Sequence, residues 1–329
     1  MKPKERASAV YYEKPRPVFW EQLFFGKESP FVALFANKGE NYQQSLSSFI
    51  FNLDVEIKND WLGYSKEVLS QEFETKESHF YSFGVLLAYT YILGIRDLHR
   101  YNLIKMENHL QVIDAEVVLT NLVLPHESVL LPFKEVDFSL CALSLLAPSI
   151  EVLTEDQKKI ILTGYFDLFA RVYEKQEEML RLLNSLTSYP PIRVLLRNTR
   201  TYYSHLSGEV PIEDLYEEEK IQLGRGDIPY FFKIIGDNQL YWLKSLEGQK
   251  ATIKVTGIYQ NDVNRHAQTP SVLIGSPESI EKKMAQGALF LFKKLGVTEH
   301  YEFLWNGSRL IISSKNYQNF LTSRRFSAY

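Results

Sequence analysis

Asp97, Asn102, Asp114 and Glu116 are the residues of this chain whose types and spacing could do chemistry. They stand in Asp97-Leu98-His99-Arg100-Tyr101-Asn102 and, twelve positions after the amide, in Ile113-Asp114-Ala115-Glu116. An acid, an amide five positions later and a second acid twelve beyond that form the spacing of a kinase-type phosphoryl-transfer centre. Catalysis there is positioning and charge neutralisation more than covalent chemistry. In this reading Asp97 accepts or orients the attacking hydroxyl. Asn102 and Asp114 offer the hard oxygen ligands that Mg2+ requires, with Glu116 able to ligate or orient. Eukaryotic-type kinases read D-x-K-x-x-N and then D-F-G. Here His99 stands in the lysine's place and Asp114-Ala115-Glu116 in that of the second motif, so the spacing points to ATP chemistry rather than to a protein kinase. His99 is either part of that chemistry or a structural hydrogen-bonding residue. A cation for the nucleotide phosphates is also required. Lys14, at the end of an apolar strand-like segment, is the candidate and Lys38 in Asn37-Lys38-Gly39 its rival.

Both loops need buried elements to hold them. The run Phe80 to Ile95 feeds the Asp97 loop. It carries Tyr81, Ser82, Tyr89 and Tyr91 and is short for a membrane span, so it reads as a buried core helix. Ala9 to Val18 reads as a strand stopped by Pro15 and Pro17. Phe31 to Ala36 reads as another strand, and Asn59 to Phe73 as loop plus helix. Thr154-Glu155-Asp156-Gln157 has the capping threonine and first-turn acids of a helix start, and the helical pattern runs to about Leu186. Ile192 to His205 reads as a further helix. The charge run Glu217-Glu218-Glu219-Lys220 reads as a solvated helix face or loop. Beyond about Phe232 the texture changes: Ile234 to Leu243 resembles a hairpin, Ser279 to Lys294 a helix, and Tyr301 to Ile312 a hairpin turning at Asn306-Gly307.

Composition narrows the field. The 329 residues are 45% apolar and 14% aromatic, which suits roughly two domains with a large core. A formal charge of -3 implies no polybasic face, and hence neither nucleic-acid nor membrane-surface binding. The start, Met1-Lys2-Pro3-Lys4-Glu5-Arg6, is not a signal peptide, and a cytoplasmic location is expected. The one cysteine, Cys141, reads as a small buried apolar residue; one cysteine excludes an intrachain disulfide and a multi-thiolate zinc site.

Further motifs in the same order carry a resemblance. Tyr12-Glu13-Lys14-Pro15-Arg16, Gly63-Tyr64-Ser65-Lys66-Glu67, the helix from Phe83-Gly84-Val85 into Asp97-Leu98-His99 and Asn102, and Ile113-Asp114-Ala115-Glu116 resemble the dehydratase domain of class II lanthipeptide synthetases. So do Arg193 to Tyr203, similar to R-x-x-x-R-x-T-x-x-Y, and Leu223 to Phe231, similar to L-x-x-G-D-I-P-Y-F. The resemblance runs from about residue 9 to 232. It implies ATP-dependent phosphorylation of Ser and Thr in a precursor peptide, then elimination of phosphate to dehydroalanine or dehydrobutyrine. It places kinase residues on Lys14, Asp97, His99, Asn102, Asp114 and Glu116, and elimination residues on Arg193 and Thr199. An arginine can clamp a phosphate in bidentate fashion and a hydroxyl can hydrogen-bond it, so the residue types agree.

The chain departs from that family at both ends. It begins at the Lys14 strand with no Gly-rich stretch before it, lacks the residues of a cyclase zinc site, and is unlike the family after residue 232. The expectation is the catalytic half of a split dehydratase, with a partner chain completing the nucleotide lobe and a separate cyclase forming the rings. The alternatives are a kinase-like phosphotransferase without elimination and a pseudokinase or scaffold subunit that binds a leader peptide. The expected fold is α+β: a reduced β-containing N-lobe over residues 1–76, a helical kinase-like C-lobe over 77–232, and a small α+β appendage over 233–329.

Overall fold

The computed structural model describes residues 3–6, 9–36, 45–69, 72–186, 189–197, 199–209, 215–226, 228–237, 239–244, 250–253, 263–297, 301–305 and 308–312. They form mixed helix and sheet, an α+β arrangement. The front part is an antiparallel sheet of β1 (Pro3–Arg6), β2 (Ala9–Lys14), β3 (Val55–Asn59) and β4 (Leu62–Lys66) in the order β1-β2-β4-β3. Helices α1 (Phe19–Phe25) and α2 (Ser47–Ile50) lie between β2 and β3 in the chain. Pro15 and Pro17 follow β2 because neither can donate to a ladder, and the chain turns there into α1.

The centre is the pair α3 (Glu77–Leu93) and α4 (Glu155–Asn184). Every residue of α3 from His79 to Leu93 is buried, so its lack of an amphipathic stripe is that of a helix packed on all sides. Its tyrosines place their hydroxyls on partners: Tyr81 donates to Asp167 at 2.7 Å, Tyr89 to the Phe24 carbonyl at 2.9 Å and Tyr91 to the Val123 carbonyl at 2.9 Å. Where α3 meets α4, a Cβ on Gly84 would overlap the Ile161 carbonyl, and one on Gly164 would overlap the Tyr81 carbonyl. Two glycines thus set how closely the helices approach. Thr154 caps α4: its hydroxyl accepts from the Gln157 amide at 3.2 Å, and the Gln157 side chain accepts from the Thr154 amide at 3.0 Å.

Past α3 come the short hairpin β5 (Leu103–Lys105) and β6 (Leu110–Val112), and past α4 the strand β7 (Ile192–Val194) with α5 (Thr199–Leu206) and α6 (Glu217–Gly224). A second antiparallel sheet then forms from β8 (Phe231–Lys233), β9 (Leu240–Leu243) and β10 (Lys250–Ile253) in the order β10-β9-β8-β7. The chain continues through α7 (Pro270–Ile274), α8 (Pro277–Leu295) and the hairpin β11 (Tyr301–Trp305) and β12 (Ser308–Ile312). The change of texture near residue 232 falls inside β8, and one apolar core runs from Trp20 through α3 and α4 to Leu295 and Val297 of the α8 region. No helix among the described residues is long and apolar enough to cross a membrane.

Five local expectations are corrected. Phe31 to Ala36 is a 3-10 turn over Val32–Phe35, not a strand. A short apolar run does not declare its period, and here Phe31 stacks on Phe24 while Phe35 packs on Phe51 and Tyr89. The Asn59 to Phe73 segment is not loop plus helix: it begins with the turn and second strand of the β3–β4 hairpin, closed where Asn59 pairs Leu62. Ile192–Val194 is strand rather than helix, since it pairs with Phe231–Lys233, a partner some forty residues away. The acidic run does form a helix, but Glu219 within it is fully buried. The expected Tyr301–Ile312 hairpin is present, with Trp305 paired to Ser308. The 234–243 hairpin opens earlier than expected, at Phe231 paired with Trp242.

Because the α3–α4 contact has no room for a side chain at Gly84, Gly84→Val should destabilise the protein by about 1–3 kcal/mol or more, the usual cost of overpacking. Urea unfolding measures this, and an unchanged midpoint would contradict the close approach.

Candidate active site

The Asp97 loop begins where α3 ends. Gly94 closes the helix in the left-handed conformation (φ 64°), which costs glycine little, and a Cβ there would overlap Thr120. Asp97 follows with φ 62°, a conformation that Asp tolerates better than most residues. Leu98 is fully buried and its amide donates to the Ser128 carbonyl at 2.9 Å. Asn102 donates its side-chain amide to the Asp97 carbonyl at 2.7 Å, and its own amide donates to the His99 carbonyl at 2.9 Å. His99 Nδ1 accepts from the Tyr101 amide at 3.3 Å. The β5–β6 hairpin then reverses the chain, and the Ile113 amide donates to the Asn102 carbonyl at 2.9 Å. The twelve-residue spacing is therefore the length of one hairpin, which returns Asp114 to the side of Asn102.

A buried charge network ties the front of the chain to these loops. Lys14 Nζ lies 3.0 Å from Glu21 Oε2 and donates to the Ile113 carbonyl at 2.8 Å. Arg16 pairs with Glu21 at 2.7 Å, Asp114 at 2.7 Å and Glu116 at 3.1 Å. The Ala115 amide donates to Glu21 Oε1 at 3.0 Å. Arg193, at the centre of β7, reaches Glu116 at 3.0 Å and stands 5.1 Å over the Tyr230 ring. Glu116 Oε2 and Arg193 Nε are buried and have no hydrogen-bond partner.

Burial shapes the titration of these groups. It raises Asp114 to about 7 against the pull of Arg16, and it raises Asp97 against His99 and Arg193. Burial would also raise Glu21, but Arg16 and Lys14 outweigh it and hold that carboxyl at about 2. The Tyr230 phenol is pushed up by burial and by Glu116.

A cleft of about 300 Å³ brings Asp97, His99, Asn102, Asp114, Glu116 and Arg193 together, with Arg96, Tyr203 and Ile228 completing the wall. Lys14 is only 3% exposed and stands behind this wall, joined to it through Glu21 and Arg16. Thr199 opens α5; its side chain lies outside the described residues, as do Lys38 and Asp227. A larger depression of about 790 Å³, lined by Asn52, Glu67, Phe73, His109 and Gln111 among others, contains none of the expected site residues.

Sequence reading missed Arg16, Glu21, Arg96, Tyr230 and Glu219. Arg16 stood inside a quoted motif without a role, and Glu21 was legible only as a helix acid seven residues after Lys14. Glu219 holds Arg197 at 3.0 Å, the Tyr202 hydroxyl at 2.7 Å and the Tyr216 amide at 2.8 Å. It thereby fastens two members of the Arg193–Tyr203 motif on either side of Thr199.

Asn102, Asp114 and Glu116 could hold a divalent cation. Among the described residues there is no group of three or more His, Cys, Asp or Glu that would cage a metal unaided. Mg2+ ordinarily takes one or two carboxylates and completes its shell with substrate phosphate and water. The unpartnered Glu116 Oε2 and the facing Asn102 and Asp114 suit that kind of site.

A family model described as a domain of unknown function, DUF4135, matches residues 8–151. That stretch contains Lys14, Arg16, Glu21, Asp97, His99, Asn102, Asp114 and Glu116, and it stops before Arg193 and Thr199. No curated protein matches the chain.

Two outcomes follow. Removing one partner of a buried ionic group is costly, so Glu219→Ala should lower stability by about 2–4 kcal/mol in urea unfolding. A loss below about 1 kcal/mol, the worth of one ordinary hydrogen bond, would contradict its role. Asp114 has a raised folded pKa, so its contribution to stability is present below the unfolded value near 3.8 and is lost as pH rises through about 7. In metal-free buffer, Asp114→Asn should therefore gain in melting temperature relative to wild type across that window. A constant difference between the two would refute the raised pKa.

Proposed function

We propose that the cleft transfers the γ-phosphoryl group of ATP to serine or threonine of a precursor peptide and then expels the phosphate, leaving dehydroalanine or dehydrobutyrine. This is the activity of the class II lanthipeptide synthetase dehydratases that the motifs resemble, on a kinase-like core. The observation that carries the reading is the buried Lys14–Glu21 pair of 3.0 Å, standing behind a cleft that holds Asp97, Asn102 and Asp114. Kinases require a strand lysine paired with a helix glutamate, an aspartate for the substrate hydroxyl, and Asn and Asp for the metal. The same roles are available here from β2, α1, the Asp97 loop and the segment after β6.

In this proposal Asp97 orients the peptide hydroxyl, and burial, which raises its pKa, makes it the better proton acceptor. Asn102 and Asp114 would hold Mg2+, with Glu116 ligating or orienting. The metal, when bound, supplies charge neutralisation for the phosphates. Lys14 and Arg16 organise the acids from behind the cleft, Lys14 through Glu21 and Arg16 through Glu21, Asp114 and Glu116. Elimination then passes the α-proton of the phosphorylated residue to a general base, turns the Cα–H electron pair into the Cα–Cβ double bond, and breaks the Cβ–O bond so that inorganic phosphate departs with the electron pair of that bond. Arg193, and Thr199 through its hydroxyl, stabilise the departing phosphate.

A second reading has its own support. Arg193 is engaged by Glu116 and Tyr230, and the DUF4135 match ends before it. On those grounds Arg193 could be structural and the protein a phosphotransferase without elimination.

The two readings part in the intact mass of a precursor peptide incubated with the full chain, ATP and Mg2+. Dehydration predicts loss of water with wild type, retained phosphate with Arg193→Ala, and no reaction with Asp114→Asn. Lys14→Ala should slow phosphorylation by about 10²-fold or more, the scale for removing one electrostatic donor. Stable phosphate addition by wild type would establish the second reading, and no dependence on Asp114 would defeat both.

A further inference from the structure

Arg96 precedes Asp97 and lines the same cleft, yet none of the motifs above assigns it a role. Its placement depends on a distant part of the chain. Arg96 Nη1 lies 3.4 Å from His266 Nε2, and His266 Nδ1 lies 3.1 Å from Thr120 Oγ1. A guanidinium can only donate. Nε2 must therefore be the accepting nitrogen, and Nδ1 carries the proton toward Thr120. His266 is 1% exposed, and burial with Arg96 alongside lowers it to about 3, so the imidazole is neutral and keeps that lone pair for Arg96.

The segment carrying His266 is sewn onto the chain beyond Glu116. The Asn121 amide donates to the Arg265 carbonyl at 2.8 Å, and the Gln268 amide donates to the Leu119 carbonyl at 2.9 Å. Lys233 is buried and donates to the Val263 carbonyl at 3.2 Å. Arg193 enters the cleft from β7, held by Glu116 and Tyr230. The cations Lys14, Arg16, Arg96 and Arg193 equal in number the acids Glu21, Asp97, Asp114 and Glu116. A metal bound at Asp114 would leave the cleft net positive and hence attractive to an anion.

We propose that Arg96 and Arg193 form an anion subsite for a phosphomonoester group, that of a phosphorylated serine or threonine in the peptide, with His266 as the positioning residue for Arg96. The assignment of the phosphopeptide rests on the proposed function; the anion site itself does not. Two planar guanidiniums suit a phosphate dianion because each can donate in bidentate fashion.

The test uses the full chain with Mg2+, inorganic phosphate as the probe by titration calorimetry, and a synthetic phosphoserine peptide as substrate. Phosphate affinity should fall about tenfold in Arg96→Gln and in His266→Leu, in line with loss of a charge-assisted contact. His266→Gln should restore it, because the glutamine oxygen can accept from Arg96. The KM for phosphopeptide should rise about tenfold in Arg96→Gln with less effect on kcat, marking a binding contact. Equal phosphate affinity in wild type and Arg96→Gln, or none in wild type, would overturn the subsite. A rise in the KM for ATP alone would overturn its assignment to the peptide. Arg96-dependent phosphate binding without any dehydration would uphold the subsite and defeat only the elimination reading. Dehydration with Arg96-independent phosphate binding would do the reverse.

Discussion

The contact on which the site depends is the buried guanidinium of Arg16. It sits among Glu21, Asp114 and Glu116 and joins the strand and helix at the front of the chain to the segment after β6. Buried charges are costly to desolvate and persist only when paired and hydrogen-bonded. Here each carboxylate has Arg16 and a further partner or a place on the cleft. Glu21 takes Lys14 and the Ala115 amide, Glu116 takes Arg193, and Asp114 faces the cavity. Arg16 therefore keeps together acids that would otherwise repel one another.

That arrangement bears on function through competition. A cation that binds Asp114 must share it with Arg16 and displace whatever proton the raised pKa retains. Under the proposed function, a cation at Asp114 would compete with Arg16 for the same carboxylate. The same logic links the two chemical halves of the proposal. Arg193 contacts Glu116, so the residue suited to holding a leaving phosphate is tied to the acids suited to phosphoryl transfer. The Trp61 ring at the tip of the β3–β4 hairpin, 5.2 Å from Phe232 on β8, gives the front sheet a second contact with the sheet that carries Arg193.

Much of the site could be read directly. Asp97, His99, Asn102, Asp114 and Glu116 line one cleft because their two motifs are short and joined by nearby bonds, Asn102 to Asp97 and Ile113 to Asn102, and Arg193 joins them through the ladder of β7 with β8. Lys14 is near but behind the wall. The partners of these residues were not legible. Arg16 gains its place from Glu21 nearby and from acids nearly a hundred positions away, Asp114 and Glu116. His266 is one of seven histidines in the chain, and only its position against Arg96 separates it from the others. Glu219 looked like a solvated charge because its neighbours Glu217 and Glu218 are charged. Its burial comes with Arg197, just before α5, and Tyr202 on α5.

By itself the sequence determined α4, with its Thr154 cap, the buried helix α3 as the apolar run from Phe80, and the antiparallel strands β11 and β12. It also determined the order and spacing of the acid–amide–acid loops. These depend on hydrogen bonds between residues a few positions apart. Tertiary structure alone decided that Ile192–Val194 is a strand, since its ladder partner is Phe231–Lys233, and that Phe31 to Ala36 curls into the aromatic core instead of extending. It also placed residues after 262 against the Asp97 loop. Those outcomes rest on pairing and burial between distant segments, where local propensity is a weak term and the gain from burying an aromatic ring or satisfying a backbone amide is the larger one.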